Sequence, residues 1–566
     1  MSSPTHHRPR EGAIPGTVDL TAAEGEATSS SYGQALYPVP SDDPNDPLLW
    51  PTWKKNTILI IVSIYSFLGN CSLVGPSVYI DIYSEEFGIS HADASGLVSY
   101  PNLAFGFGSL LLVPMYLKFG RRVVTLLSMA IFVAGLIGAS RATTFSGLMI
   151  ARVFHGFGSG VCESLPVQLV NDMFYLHERG KRIGYYTVCL CLGSTGPLYA
   201  GYMLAGGYSW RLFFYVVAAF AGALLVAAFF FVEESRFNRS EAATVPAAAV
   251  EGEEEGEGNN GEKEAGQATQ VEDAPSSPRS VPLPPRQRKT FLETLIPWTP
   301  IDHNAEFFAT IIRSFAYFLV PAVLWVITSF GIYIGLGALT FNYTFPLLIT
   351  NPPYSWPATN SGLIALATIL GFSLALPFTP TSDMIAAKLT KRNHNIREAE
   401  MRLPALLPAV FLAPAGLLVY GLTADRKLHW TGLFAGVAMV QFGSYFFFTF
   451  TLAYAVDSYY ADVSEMLIAM NLGKQAISFG MGSYLLSWVE ERGYAVVIAG
   501  VFCGVAVLNN LMIVVFWVWG RGIRVASSRG WLGGLSRRSS VPSRDVASLP
   551  GLYIYSIPKV SFLRGI

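Results

Sequence analysis

Gly193-Ser194-Thr195-Gly196-Pro197-Leu198-Tyr199-Ala200-Gly201 sits midway through an uncharged apolar run, 183–205. That run has neither the polarity of a turn nor the polar face of a soluble helix. In water a proline inside a helix costs about 3 kcal/mol, because it withholds a donor and crowds the preceding turn. In a bilayer neighbouring helices meet that cost, and small residues let two backbones approach closely. The stretch therefore reads as a kinked transmembrane helix packed on a partner. Function becomes a question of transport before it is one of catalysis.

Composition points the same way. The chain has 566 residues, 52% hydrophobic and 14% charged, with mean hydropathy +0.41. Soluble domains carry about 25% charged residues, so most of this surface is unsuited to water. Cys71, Cys162, Cys189, Cys191 and Cys503 all fall in apolar runs, which fits buried reduced thiols better than a disulfide framework. Cys189 and Cys191 are too few and too dry for a metal site, and no metal or cofactor is expected. Residues 1–47 are polar with no secretory leader, so the first apolar run is expected to act as its own insertion signal.

Runs of about 20 apolar residues, enough to cross the hydrocarbon core, occur at 57–80, 94–117, 123–140, 146–170, 183–205 and 212–232. After a polar break they resume at 317–341, 362–380, 404–423, 430–454, 466–488 and 495–519. In chain order these are segments one to twelve, and the fold class expected is an all-α membrane protein with two pseudo-symmetric six-helix halves. The expected division is a disordered tail 1–56, a half 57–232, a flexible linker 233–316, a half 317–519 and a basic tail 520–566. Lys118, Arg121, Arg122, Arg179, Lys181, Arg182, Lys388, Lys391, Arg392, Arg397 and Arg402 collect on one side, which should be cytoplasmic with both termini and the linker. The linker runs from an acidic block, 251–264, to a Pro/Arg stretch, 275–289, and reads as a tether. The tail carries Arg524, Arg529, Arg537, Arg538 and Arg544, open to anionic lipid or to simple solvation.

Four stretches carry a resemblance: Asn45-Asp46-Pro47-Leu48-Leu49-Trp50-Pro51 before segment one, Leu117-Lys118-Phe119-Gly120-Arg121-Arg122 after segment two, and Leu148-Met149-Ile150-Ala151-Arg152-Val153-Phe154-His155-Gly156-Phe157-Gly158-Ser159-Gly160 in segment four. The fourth is the glycine-proline stretch of segment five. Together they resemble the major facilitator superfamily, and within it the fungal twelve-helix drug:proton antiporters. The resemblance implies the major facilitator fold, a proton-coupling role for Arg152, and an antiporter signature and hinge at Gly193, Gly196, Pro197 and Gly201. It places a cytoplasmic latch at the basic loop, where Arg121 and Arg122 face Asp172, with Asp383 and Arg392 as the counterpart in the second half. Leu117 stands where the family's loop carries an acid. Positive-inside anchoring accounts for the same arginines.

Charge inside an apolar run is expensive and usually faces a cavity or a partner. Glu163 lies eleven residues beyond Arg152, about 16 Å along the same helical face. Both can line one cavity without touching, and Glu163 is the second coupling candidate; a helix-end glutamate near headgroups is the alternative. His155 reads as a hydrogen-bonded structural histidine or as a proton carrier. Lys474, with Asn471 beside it, reads as a cavity charge or as a satisfied interhelical pair. The resemblance adds Asn70, Tyr343, Gln441 and Tyr445 as substrate-cavity groups.

Enzyme signatures, including a phosphate loop and a zinc-helix histidine pair, are absent from the sequence. The expectation is a carrier rather than an enzyme: export of a small organic molecule, a drug, toxin or secondary metabolite, in exchange for protons by alternating access. Proton-coupled uptake of a small organic solute, and a non-transporting receptor on the same scaffold, are the alternatives. The expected partners are substrate, protons and the bilayer, without nucleic acid. The expected state is a monomer in the plasma or vacuolar membrane.

Overall fold

A computed structural model of the chain describes residues 17–19, 43–237, 289–296, 307–393, 395–459 and 463–529. The acidic block 251–264, most of the Pro/Arg stretch, and Arg537, Arg538 and Arg544 lie outside the described residues. Among the described residues the fold is all-α apart from one two-stranded pairing. Among the described residues, ten helices are long and apolar enough to cross a membrane, and they cover segments one to three, five to ten and twelve. Their outward side chains stay apolar, as at Phe220, Phe411, Leu508 and Val514, the reverse of a water-facing bundle.

Segments four and eleven are the two expected crossings outside that set. Segment four is interrupted: helix Phe145–Gly158 passes through a 3-10 turn, Ser159–Val161, into helix Ser164–Met173. Segment eleven is one unbroken 30-residue helix, Val463–Arg492, whose apolarity is diluted by Glu465, Lys474, Glu490, Glu491 and Arg492. Both are packed within the bundle, segment four between two and three, segment eleven between two and seven. Segment two lies along eleven and five along eight, which joins the two expected halves.

Segment five breaks where the sequence weakens it. Helix Leu176–Gly193 ends, and helix Gly196–Ala205 restarts with Pro197 in its first turn, where proline's missing N–H costs nothing. A Cβ on Gly193 would lie 2.7 Å from Asn70 Cβ, and one on Gly196 2.9 Å from Gly75 Cα. Backbone contact between segments one and five therefore requires glycine at both positions. Gly196→Val should cut folded yield several-fold, since overpacking costs about 1–3 kcal/mol. Gly222→Val, which meets open space, is the control; equal yields in fluorescence-detected gel filtration would remove the close-approach argument.

The expected disordered tail and the expected linker both carry structure. Strand β1 (Thr17–Asp19) of the N-terminal tail pairs antiparallel with β2 (Ile396–Glu398) between segments eight and nine. Residues 43–51 form a capped turn in which Asp46 accepts from Leu48 N and Lys55 donates to the Leu48 carbonyl. Within 233–316, a short helix Phe291–Leu295 begins with a capping box at Thr290 and Glu293, and Phe307–Ala316 forms another helix. Segment twelve continues to Arg529 rather than ending at 519.

Candidate functional site

Three glycines let the interrupted segment four sink between its neighbours. A Cβ on Gly158 would lie 2.6 Å from Phe132 N, one on Gly160 2.5 Å from Gly108 C, and Gly156 abuts the Pro101 backbone. The interruption frees carbonyls that a bilayer could not satisfy. Tyr65 donates to the Gly158 carbonyl at 3.0 Å, Ser66 to that of Cys162, and Tyr186 to that of Glu163 at 2.9 Å. The break is thus held open by hydroxyls from segments one and five, and Glu163 sits at its end as the N-cap residue of Ser164–Met173.

The Glu163 carboxylate of segment four pairs with the Lys474 ammonium of segment eleven. Lys474 is wholly buried, with its ammonium 5.7 Å from the Phe105 ring centre and 5.6 Å from that of Phe330. Asn471 donates to Ser109 and Ser164, each at 3.2 Å, and Gln168 to Ser464 at 2.8 Å. Segments four and eleven therefore present a polar seam between the halves, with the ion pair at its inner end. Removing one member of a buried pair leaves an uncompensated charge, at about 3–5 kcal/mol.

The other cavity candidates are dispersed. Asn70 donates to the Leu190 carbonyl at 2.9 Å, tying segment one to five. Tyr343 lies 3.4 Å from Ser99 across the halves, and the Tyr445 hydroxyl is 2.5 Å from Thr379. Gln441 is buried in segment ten against Gly371. Arg152 does not meet Glu163: its guanidinium is spent on the carbonyls of Leu97, Ser72 and Leu73. His155 Nδ1 lies 2.5 Å from the Arg152 carbonyl.

At the linker end, Arg121 pairs with Asp172, whereas Arg122 does not. The Arg122 guanidinium donates to the Phe229 carbonyl at 2.6 Å and to the carbonyls of Thr294 and Leu295, fastening the linker helix to the basic loop. Glu234 accepts the backbone N–H groups of Arg121 and Arg122 at 3.1 Å. It caps the start of segment three, where a negative charge complements the helix terminus.

In the second half the expected pairing of Asp383 with Arg392 is corrected. Asp383 is in the first turn of helix Thr381–Arg392 and Arg392 at its end, about 13 Å apart along the axis. Arg392 is exposed. Asp383 instead accepts from Arg402 at 2.6 Å, and Arg402 also holds Asp457 at 2.7 Å. Arg397 joins Asp457 at 3.4 Å; burial pushes its pKa below the ordinary arginine value, as does the nearby Arg402, and Asp457 opposes them. Arg524, expected in a solvated or lipid-facing tail, is buried in a two-bonded pair with Glu400 at 2.7 and 2.5 Å. Sequence reasoning passed over Glu234, Glu400 and Asp457; acids at helix ends facing a basic loop were the available signal.

A family model described as Major Facilitator Superfamily matches residues 59–474. The chain is 23% identical to an uncharacterised MFS-type transporter of Schizosaccharomyces pombe, covering 85% of this chain and 87% of that one. It is 23% identical to protein HOL1 of Saccharomyces cerevisiae, covering 93% and 98%. Among solved structures it is similar to the proton:xylose symporter XylE bound to 6-bromo-6-deoxy-D-glucose, with TM-score 0.56 and 14% identity over 83% of this chain and 96% of that one. With most of its length matched in this way, the chain belongs to the Major Facilitator Superfamily, whose members are carriers rather than enzymes.

Proposed function

We propose that the protein is a proton-coupled secondary transporter that moves a small organic solute by alternating access. The reading assigns twelve crossings in two six-helix halves, 57–232 and 317–519, with the linker and basic loops cytoplasmic. The observation that carries it is the Glu163–Lys474 pair, a titratable acid and its counter-charge on opposite halves, buried beside a broken helix. A proton arriving at Glu163 neutralises the carboxylate, releases Lys474 and loosens the tie between halves; loss of the proton restores it. The Arg121–Asp172 pair and the Arg402 cluster serve as the linker-end latches, and Asn70, Tyr343, Gln441, Tyr445 and Asn471 are assigned to the solute cavity. The assignment is to a monomer in the plasma membrane, with the vacuolar membrane as the alternative.

Two directions fit this chemistry. The glycine-proline stretch of segment five supports export in exchange for protons, with drugs, toxins or secondary metabolites as cargo. The comparisons support the alternative, proton-coupled uptake, better, since XylE is a proton symporter of the same fold. Purified protein in liposomes under an imposed pH gradient separates them. Solute accumulating with the proton flow reads as symport, and solute moving against it as antiport. Solute movement indifferent to the gradient and to a protonophore would sink the coupling.

A further inference from the structure

In an α-helix each carbonyl accepts from the N–H four residues further on. For Ser72 in segment one that residue is Pro76, and for Leu97 in segment two it is Pro101. Proline has no N–H to give, so each helix carries one carbonyl stripped of its own donor. Helix Thr52–Val74 gives way at Gly75 to a 3-10 turn, Gly75–Tyr79, whereas helix His91–Phe119 runs on with Pro101 inside it. Orphaned carbonyls away from water have to be met by a neighbour.

One side chain meets both. Arg152 donates through Nε to the Leu97 carbonyl and through Nη1 to that of Ser72 at 3.3 Å. Its remaining nitrogen, Nη2, takes the Leu73 carbonyl at 2.9 Å, also at the failing end of the segment-one helix. The guanidinium is wholly buried, with the Phe214 ring 5.6 Å away, and among the described residues it has no carboxylate partner. The negative end of a helix and the two stripped carbonyls supply the counter-dipole that a buried cation needs. One turn later Gly156 brings segment four onto the Pro101 backbone, so the approach of the two helices is set for this contact. A planar fork with five donors suits the task, whereas an ammonium does not.

We infer that Arg152 is a clamp for two proline breaks, supplying Ser72 and Leu97 with the donors that Pro76 and Pro101 withhold. It fixes segments one, two and four to one another and lets the first two bend without stranding a carbonyl. The role is one of positioning, separate from the proton step assigned to Glu163.

The test is a rescue. In the full-length protein in detergent, Arg152→Leu should lower the folded fraction about tenfold, since it strands several buried acceptors. Pro76→Ala and Pro101→Ala return the missing N–H groups, so the triple variant should recover to within about threefold of the parent. The pH profile of solute exchange by the triple variant should run parallel to that of the wild type. Arg152→Lys keeps the charge but cannot fork across two helices, and should fold about as poorly as the leucine variant. Wild-type folding of Arg152→Leu or Arg152→Lys, no gain in the triple variant, or a displaced pH profile in it would each overturn the clamp.

Discussion

Replacing Glu163 with glutamine should abolish gradient-driven solute accumulation while leaving a carrier that still reaches the membrane. The substitution keeps the size of the side chain but removes the titratable group, and it leaves Lys474 charged, wholly buried and without its partner. The stranded charge costs about 3–5 kcal/mol, a factor of roughly a hundred or more in the folding equilibrium constant, which erodes the stability of the folded state without emptying it. Neutralising both partners, as Glu163→Gln with Lys474→Gln, removes most of that penalty, because two amides are cheaper to desolvate than a stranded ion and can hydrogen-bond to each other. The double variant should therefore regain stability and solute exchange in the absence of a gradient, yet stay unable to accumulate solute when one is imposed. Accumulation that persists in Glu163→Gln would remove this acid from the coupling step altogether.

The second large effect is expected at Arg402. Its guanidinium holds Asp383 at 2.6 Å and Asp457 at 2.7 Å and also reaches Ser382 at 3.3 Å, all at the linker end of the second half. Arg402→Ala leaves the Asp457 carboxylate in a largely buried setting with only the longer contact to Arg397, and should destabilise the folded protein by about 3–5 kcal/mol. Arg392→Ala removes an exposed charge and should stay within about 0.5 kcal/mol of the parent. Thermal unfolding of the two variants side by side reads the difference. Equal midpoints would mean that the cluster contributes no more than a solvated loop charge does.

Apolar length made legible the ten helices that are long and apolar enough to cross a membrane, since a run that must face lipid has few ways to disguise itself. Segments four and eleven meet that rule less well for one physical reason: they hold the polar machinery. Glu163 and Lys474 each stood out as charges within apolar runs. Their pairing did not, because the two lie on opposite halves and only the packing of the bundle brings them together. Asp383 and Arg392 were matched because they are near in sequence, whereas the loop that reverses the chain delivers Arg402 instead. Arg402 had been counted only as one positive charge among many on its side. Arg152 was noticed for its charge, but its partners are carbonyls, and backbone acceptors leave no mark in a sequence unless one asks which prolines have stripped them. The tail strand β1 and the linker helix at Phe291–Leu295 were hidden for a related reason, being short pieces in polar surroundings whose partners lie on the bundle.

The seam between segments five and eight has a consequence for how such a protein can change over time. At its linker end Gly180 and Gly184 rest on Asp383 and Thr379, and at its far end Gly201 and Gly362 bring two main chains together, with Gly362 against Pro197. At Gly362 a replacement adds atoms where main chain already stands, and at Gly180 and Gly184 it displaces the Asp383 and Thr379 side chains, so drift is obstructed along this line. The rings that face the Lys474 ammonium, Phe105 and Phe330, are of the opposite kind, open to exchange for others of similar volume. Selection can therefore change the groups beside the pair while this line of contact stays fixed. A saturation-mutagenesis map should record this as a narrow intolerant stripe along segments five and eight beside a permissive lining.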